Sequence, residues 1–259
     1  MVRAARAIAQ GLIGYLRRHL PKPVKDTLKQ TRVASVVQRK LSQGVPYEPD
    51  VCGTIERFVQ PGWTCADVGA NVGVITQLLA QLVGPAGRVI AFEAHPENIR
   101  LLRGNMRANG CEKRVRVEHL AVSDGSHDRL WLFPGRQHSS LEWNIVGHDV
   151  EGIRTDPELE VPAISLDDYF PSGSRLHLVK IDVEGAEAQV LAGMRRLLRE
   201  ARPVAIIEFH DEVGWAGRQE LLAAAYDLYD LSGRRLDPVR DVRRVYHCLA
   251  LPLPMDDPR

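Results

Sequence analysis

The chain has 259 residues and a mass of 28.9 kDa, with 44 % hydrophobic and 26 % charged side chains. That is room for one large domain, or one domain and an appendage, with a core that needs no disulfides, and the composition excludes wholesale disorder. A formal net charge of +1 gives no global reason to expect nucleic acid as a partner. No run approaches 18 apolar residues, so no membrane-crossing helix is expected. The four cysteines, Cys52, Cys65, Cys111 and Cys248, form no C-x-x-C pair, which argues against a zinc ribbon or a thioredoxin-type site and suits a reducing cytoplasm.

Charge is unevenly spread. Residues 1–45 hold ten Lys/Arg against the single acid Asp26, a formal +9, so the rest of the chain carries −8. Within this arm Ile8, Leu12, Tyr15, Leu16 and Leu20 recur at helical spacing with Arg6 and Arg17 opposite, a basic amphipathic helix stopped at Pro21 and Pro23. Three readings compete for it: a helix packed on the body, peripheral attachment to an anionic membrane, and a secretory signal. The last lacks an unbroken apolar stretch and a small-residue cleavage site.

Residues 46–259 read as one domain. A lead-in over 46–60 precedes a strand at Cys65–Val68 and a helix at Val74–Leu82. A strand follows at Arg88–Ala94, then a helix opened by Pro96 with the stripe Ile99, Leu102 and Met106, then a strand over Val115–Val122. The stretch 133–163, rich in Gly and Pro, reads as an inserted loop region with a short strand near Val161–Ile164. Ser165-x-x-Asp168 reads as a capping box, with Tyr169 and Phe170 buried. Later come a strand at Leu176–Asp182, a helix through Val190, Leu191, Met194 and Leu198, a strand at Val204–His210, and two closing strands at Tyr226–Leu231 and Arg244–Leu251 in an antiparallel hairpin. Strands alternating with helices predict an α/β, doubly wound, mainly parallel sheet.

The run D-V-G-A-N-V-G, Asp67 to Gly73, sits where a strand passes into a helix, and glycines there let a ligand approach the backbone. Asn71 and Val74 break the G-x-G-x-x-G pattern of a nicotinamide site, and Asp67 would repel a pyrophosphate. A ligand carrying an ammonium and a sulfonium, as S-adenosylmethionine does, reverses that sign. Twenty residues after Gly73, Glu93 ends the second strand, where a carboxylate accepts from both ribose hydroxyls. Asp67, Gly69, Asn71, Gly73 and Glu93 are therefore candidate cofactor residues.

The ordered set D-V-G-A-N-V-G, A-F-E-A-H-P-E-N (91–98), L-V-K-I-D-V-E-G-A-E (178–187) and I-I-E-F-H (206–210) resembles the FkbM family of S-adenosylmethionine-dependent methyltransferases over about 60–212. The resemblance implies a Rossmann-like class I methyltransferase sheet of seven strands and methyl transfer to oxygen on sugars, glycans or natural products. It does not extend to residues 1–45.

Asp182 and Glu184 fall where one strand ends at the ligand edge, and Glu208 and His210 end its neighbour. Methyl transfer from a sulfonium needs alignment and a sink for the acceptor proton. His210 is the candidate base, Glu208 its partner or an acceptor contact, Glu184 a substrate contact or helix cap, and Asp182 a contact to the cofactor's amino-acid end. Glu187 reads as a complement to a helix dipole. No metal is assigned, although Asp182, Glu208 and His210 have ligand chemistry that suits a divalent ion. His138, Trp143 and His148 are candidates for an acceptor pocket. The resulting expectation is an O-methyltransferase acting on a small-molecule or glycan acceptor, cytoplasmic, with membrane contact through residues 1–45. The rival reading is a non-catalytic module of the same fold that docks through its arm.

Overall fold

The computed structural model describes residues 47–134, 143–146, 159–241 and 247–254, with side chains omitted for 133–134 and 143–146. Contacts divide the chain between Val45 and Pro46, and all that follows belongs to the second unit. The basic arm, His138, the Ser139–Ser140 pair that the family resemblance also covers, His148 and the side chain of Trp143 lie outside the described residues.

Seven strands form the main sheet: β1 (Thr64–Val68), β2 (Arg88–Glu93), β3 (Val115–His119), β8 (Leu178–Ile181), β9 (Val204–Glu208), β10 (Tyr226–Tyr229) and β11 (His247–Pro252). Their order is β3-β2-β1-β8-β9-β11-β10. Every neighbouring pair is parallel except those made by β11, which runs antiparallel to both β9 and β10. This is the doubly wound sheet with a closing hairpin that the alternating apolar runs predict. Period-2 alternation divides each strand between two cores. Ile90 and Phe92 face the layer of Val190, Leu191, Leu198 and Trp215, while Val89 and Ala91 face Ile55, Leu79, Leu102 and Met106.

The helices that cover the second face are α1 (Pro49–Phe58), α2 (Val74–Leu82) and α3 (Pro96–Ala108). The first of these replaces the expected lead-in. Pro49 opens it, and Val51, Thr54 and Ile55 bury one face, a stripe too short to stand out among Gly53 and the charged residues around it. The other face carries α4 (Leu166–Tyr169), α5 (Glu187–Ala192), α6 (Arg195–Glu200), α7 (Glu212–Ala216) and α8 (Arg218–Ala223). The expected continuous helix through Val190 and Leu198 is broken at Gly193, because a Cβ there would lie 2.0 Å from the Ser123 carbonyl oxygen. The pair α7 and α8 was not expected; Asp211 caps α7 by accepting from the Gly214 N–H.

Two further expectations need correction. The strand expected over Val115–Val122 divides at Leu120: β3 stays on β2, while β4 (Ala121–Ser123) leaves for a second sheet. That sheet has the order β4-β7-β5-β6, with β5 (Arg129–Pro134), β6 (Trp143–Val146) and β7 (Leu159–Ser165). The expected loop region thus contributes strands to an extra sheet, buried through Ala121, Leu130, Leu132 and Val161. The Ser165 cap is present, its Oγ accepting from the Asp168 N–H at 3.0 Å. Leu166 and Phe170 are the buried residues of that turn, and Tyr169 is only half-buried.

Candidate active site

The loop after β1 is built by hydrogen bonds inside the protein. Gly69 and Ala70 both donate to the Phe92 carbonyl, at 3.0 and 2.9 Å. Asn71, in the left-handed region at φ 50°, donates its N–H to Glu93 Oε2 at 2.7 Å. The glycines serve packing. A Cβ on Gly69 would lie 1.7 Å from the Asp182 carbonyl oxygen, and one on Gly73 would lie 2.3 Å from Leu102 Cδ1. Gly73 therefore lets α3 approach the loop.

Asp67 is 0 % exposed. Its Oδ2 accepts from Thr76 Oγ1 at 2.5 Å, and Oδ1 has no hydrogen-bond partner among the described residues. Burial raises its pKa, against the pull of Lys180 and the Thr76 hydrogen bond. It is not among the residues that line the cleft.

The cleft opens at the carboxyl ends of β1, β2 and β8, with a volume of about 560 Å³ including its mouth. Phe92, Leu120, Val122, Leu132 and Val183 supply apolar wall, and Gly69, Asn71, Glu93, Asn98, Asp182 and Glu184 supply polar edges. Glu93 is tied to three donors: Asn71 N–H, His95 N–H at 2.7 Å and Asn98 Nδ2 at 3.4 Å. Asn98 Oδ1, buried in the same wall and without a hydrogen-bond partner among the described residues, offers a further acceptor.

Beyond the cleft floor, the ends of β8, β9 and β11 bring acids and histidines together. Lys180 is 4 % exposed, and its Nζ donates to Asp182 Oδ2 at 2.6 Å. Burial raises the Asp182 pKa, but Lys180 overcomes it and holds the carboxyl below its ordinary range. Glu184 follows at φ 54°, a left-handed conformation unusual for a residue with a side chain and frequent at functional sites. The loop it begins carries Gly185 and then Glu187, which is 0 % exposed.

Glu187 stands in the first turn of α5, as expected, and also reaches the rim. Its Oε1 accepts from the Gly185 N–H at 2.9 Å and lies 2.7 Å from His210 Nδ1. A carboxylate only accepts, so Nδ1 carries a hydrogen and Nε2 faces the rim. There Nε2 lies 3.3 Å from Glu184 Oε2, 3.7 Å from Asp182 Oδ1 and 3.8 Å from Glu208 Oε1. Burial lowers the pKa of His210, but Glu187, Glu184 and Asp182 together raise it to about 9. Those carboxylates favour the protonated ring, so a role as base requires the ring to give up that proton first.

Sequence reasoning found Asp182, Glu184, Glu208 and His210, and the structure brings all four to one rim. It missed Glu187, Lys180, Glu48 and His247. The signal for Glu187 and Lys180 was present, since both sit in K-I-D-V-E-G-A-E. His247 had none: it reaches Glu208 only because β11 runs backwards, so that its first residue pairs with the last residue of β9. Glu48 comes from the residue before α1 and groups with Glu208 and His247.

S-adenosylmethionine fits the cleft by the chemistry of its donor set: apolar wall for a base, acceptors on Glu93 and Asn98 for hydroxyl or amino donors, and acids at the end where a cation would lie. The comparisons with known proteins agree. Residues 67–228 match the Methyltransferase FkbM domain. The chain is 25 % identical to 2-O-methyltransferase NoeI of Sinorhizobium fredii over 71 % of its own length and 77 % of that protein. It is 30 % identical to 31-O-demethyl-FK506 methyltransferase FkbM of Streptomyces tacrolimicus, over 61 % of this chain and 70 % of the other. Hexuronic acid methyltransferase AglP of Haloferax volcanii is also 30 % identical, over 61 % of each chain. A family match that spans the cleft, the rim and most of the main sheet makes this chain a member of the FkbM family of S-adenosylmethionine-dependent methyltransferases.

Proposed function

We propose that the protein transfers a methyl group to a hydroxyl of a sugar, glycan or polyketide-like acceptor. The observation that carries this reading is the rim itself, where Glu184, Glu208 and His210 converge beside a cleft that Asp182 and Glu184 also line. The names of the relatives, a 2-O-methyltransferase, a 31-O-demethyl-FK506 methyltransferase and a hexuronic acid methyltransferase, support an oxygen acceptor.

When bound, S-adenosylmethionine supplies an electrophilic methyl group. Gly69, Asn71, Glu93 and Asn98 hold it in the cleft, and Asp182 stands at the border between the cleft and the rim. Glu184 Oε2 takes the acceptor's proton as oxygen becomes nucleophilic. His210 and Glu208 hold the hydroxyl from the opposite side, and Glu187 keeps the His210 ring in one orientation. Water exclusion by the apolar wall strengthens each of these contacts. Residues 1–45, with their +9 formal charge, are proposed to attach a cytoplasmic enzyme reversibly to anionic lipid, which would bring it to membrane-bound glycans.

The test is transfer from methyl-labelled S-adenosylmethionine to a panel of sugars, oligosaccharides and macrolides, read by mass. Glu184→Gln should lower kcat by about 10²–10⁴-fold, the usual worth of positioned acid–base help, and leave S-adenosylhomocysteine affinity within about threefold. Wild-type protein that binds S-adenosylhomocysteine yet labels no oxygen acceptor would overturn the acceptor class. A Glu184→Gln enzyme of normal rate would remove Glu184 from the proton's path.

A further inference from the structure

We propose that Asp182, Glu208 and His210 form a binding site for one divalent metal ion at the acceptor rim. Each of the three has one atom turned toward the others and its second atom against a different partner. Asp182 Oδ2 is held by Lys180 Nζ at 2.6 Å and His210 Nδ1 by Glu187 Oε1 at 2.7 Å, while Glu208 Oε2 faces His247 Nε2 at 3.2 Å. That leaves Asp182 Oδ1, His210 Nε2 and Glu208 Oε1 facing one another, with the ligand atoms of the three residues all within 4.8 Å.

The spacing has a meaning of its own. His210 Nε2 stands 3.7 Å from Asp182 Oδ1 and 3.8 Å from Glu208 Oε1. These are too long for hydrogen bonds, so the three groups are not satisfied by one another. Ligands about 2.1 Å from a common centre sit roughly 3.0–3.4 Å apart in octahedral or tetrahedral geometry. A contraction of a few tenths of an ångström brings His210 Nε2 to that spacing from each carboxylate, and the two carboxylates stand within 4.8 Å of one another.

The outer partners are of the kind that orients metal ligands. A fully buried carboxylate that fixes a histidine through Nδ1 and turns Nε2 toward the other ligands is the usual second partner of a metal-bound imidazole, and an ion here would displace the Nε2 proton that Glu184 Oε2 faces at 3.3 Å. The residues come from the end of β8, the end of β9 and the residue after next beyond it, elements of the rigid sheet. One imidazole and two carboxylates suit Mn²⁺, Zn²⁺ or Mg²⁺, and three protein ligands leave open positions for oxygens of a polyhydroxylated acceptor. That last role rests on the methyl-transfer reading above; the ion site does not.

Mn²⁺ is the probe. Chelator-treated, dialysed full-length protein should bind one Mn²⁺ per chain, counted by the loss of the free-ion electron paramagnetic resonance signal. Pulsed spectra of the bound ion should show coupling to one imidazole nitrogen. His210→Gln and Glu208→Gln should each weaken the ion by at least tenfold while S-adenosylhomocysteine still binds. No binding by wild type, bound Mn²⁺ without nitrogen coupling, or unchanged affinity in both variants would each overturn the site. The nitrogen coupling is read on wild type, so the answer does not depend on how well the variants fold. Failure to methylate any acceptor would count against the proposed function and leave these readouts standing.

Discussion

Replacing Glu93 with alanine separates two roles that the side chain combines. In the protein without cofactor, its carboxylate ties the loop after β1 to the start of α3 by accepting the N–H groups of Asn71 and His95, each at 2.7 Å. The His95 contact is buried and the Asn71 contact partly so. A buried donor left without an acceptor costs about 1–3 kcal/mol, and a partly wet one falls near the low end, so Glu93→Ala should lose about 2–4 kcal/mol before any ligand is added. For a domain of this size that is a fall in Tm of about 4–16 °C. Glu93→Gln keeps one carbonyl oxygen and should lose about half as much. Urea unfolding without cofactor measures the first role, and calorimetry with S-adenosylhomocysteine on the surviving folded fraction measures the second. If the urea midpoint of Glu93→Ala matches wild type to within about 0.5 kcal/mol, water replaces the carboxylate and the clamp has been misread.

Further outcomes follow from other parts of the cleft. Gly69→Ala sets a Cβ 1.7 Å from the Asp182 carbonyl oxygen at φ 81°, whereas Gly62→Ala at φ 87° meets nothing within 4 Å. The second should cost only the left-handed penalty of about 1–2 kcal/mol, and the first clearly more in the same urea assay; equal losses would refute the close approach. Burial, with the charge of His119 second, lowers the pKa of His95 to about 4. A histidine depressed from its ordinary 6.5 supports stability above that value and withdraws it as pH falls toward 4, by about 2 kcal/mol at pH 5. The stability of His95→Gln should therefore fall less steeply than wild type between pH 6.5 and 4, and parallel curves would rule the effect out. Full-length protein should co-sediment with phosphatidylserine vesicles at low salt and leave them at about 0.5 M, where the Debye length drops below 5 Å; indifference to the vesicles would end the lipid reading of residues 1–45.

The sheet was legible because its strands are buried on both faces. R-V-I-A-F and V-A-I-I-E-F have no other stable place, and Pro96 and Gly73 mark helix starts beside them. The breaks were not legible. Gly193 interrupts a helix because of the distant Ser123 backbone, and Leu120 turns a strand out of its sheet with no change in apolar pattern. The same holds at the site. Glu93, Asp182 and His210 could be placed because each ends a recognisable strand. The close approach of Leu102 to Gly73 was not legible, because a packing glycine and a ligand-facing glycine look alike in a sequence. His210 could be found but not its protonation, which depends on Glu187, Glu184 and Asp182, three carboxylates of a different segment. Glu48 and His247 join the rim through long-range pairing alone, which local spacing does not encode.

The reversed strand β11 also closes an edge. Without it, β9 would show unpaired backbone on the side that β11 covers, and Glu208 would have no His247 beside it. Such an edge is a ready template for pairing with another chain. Cleavage upstream of His247 would therefore also strip Cys248 and Ala250 from the core and leave the main sheet open to association with a second copy.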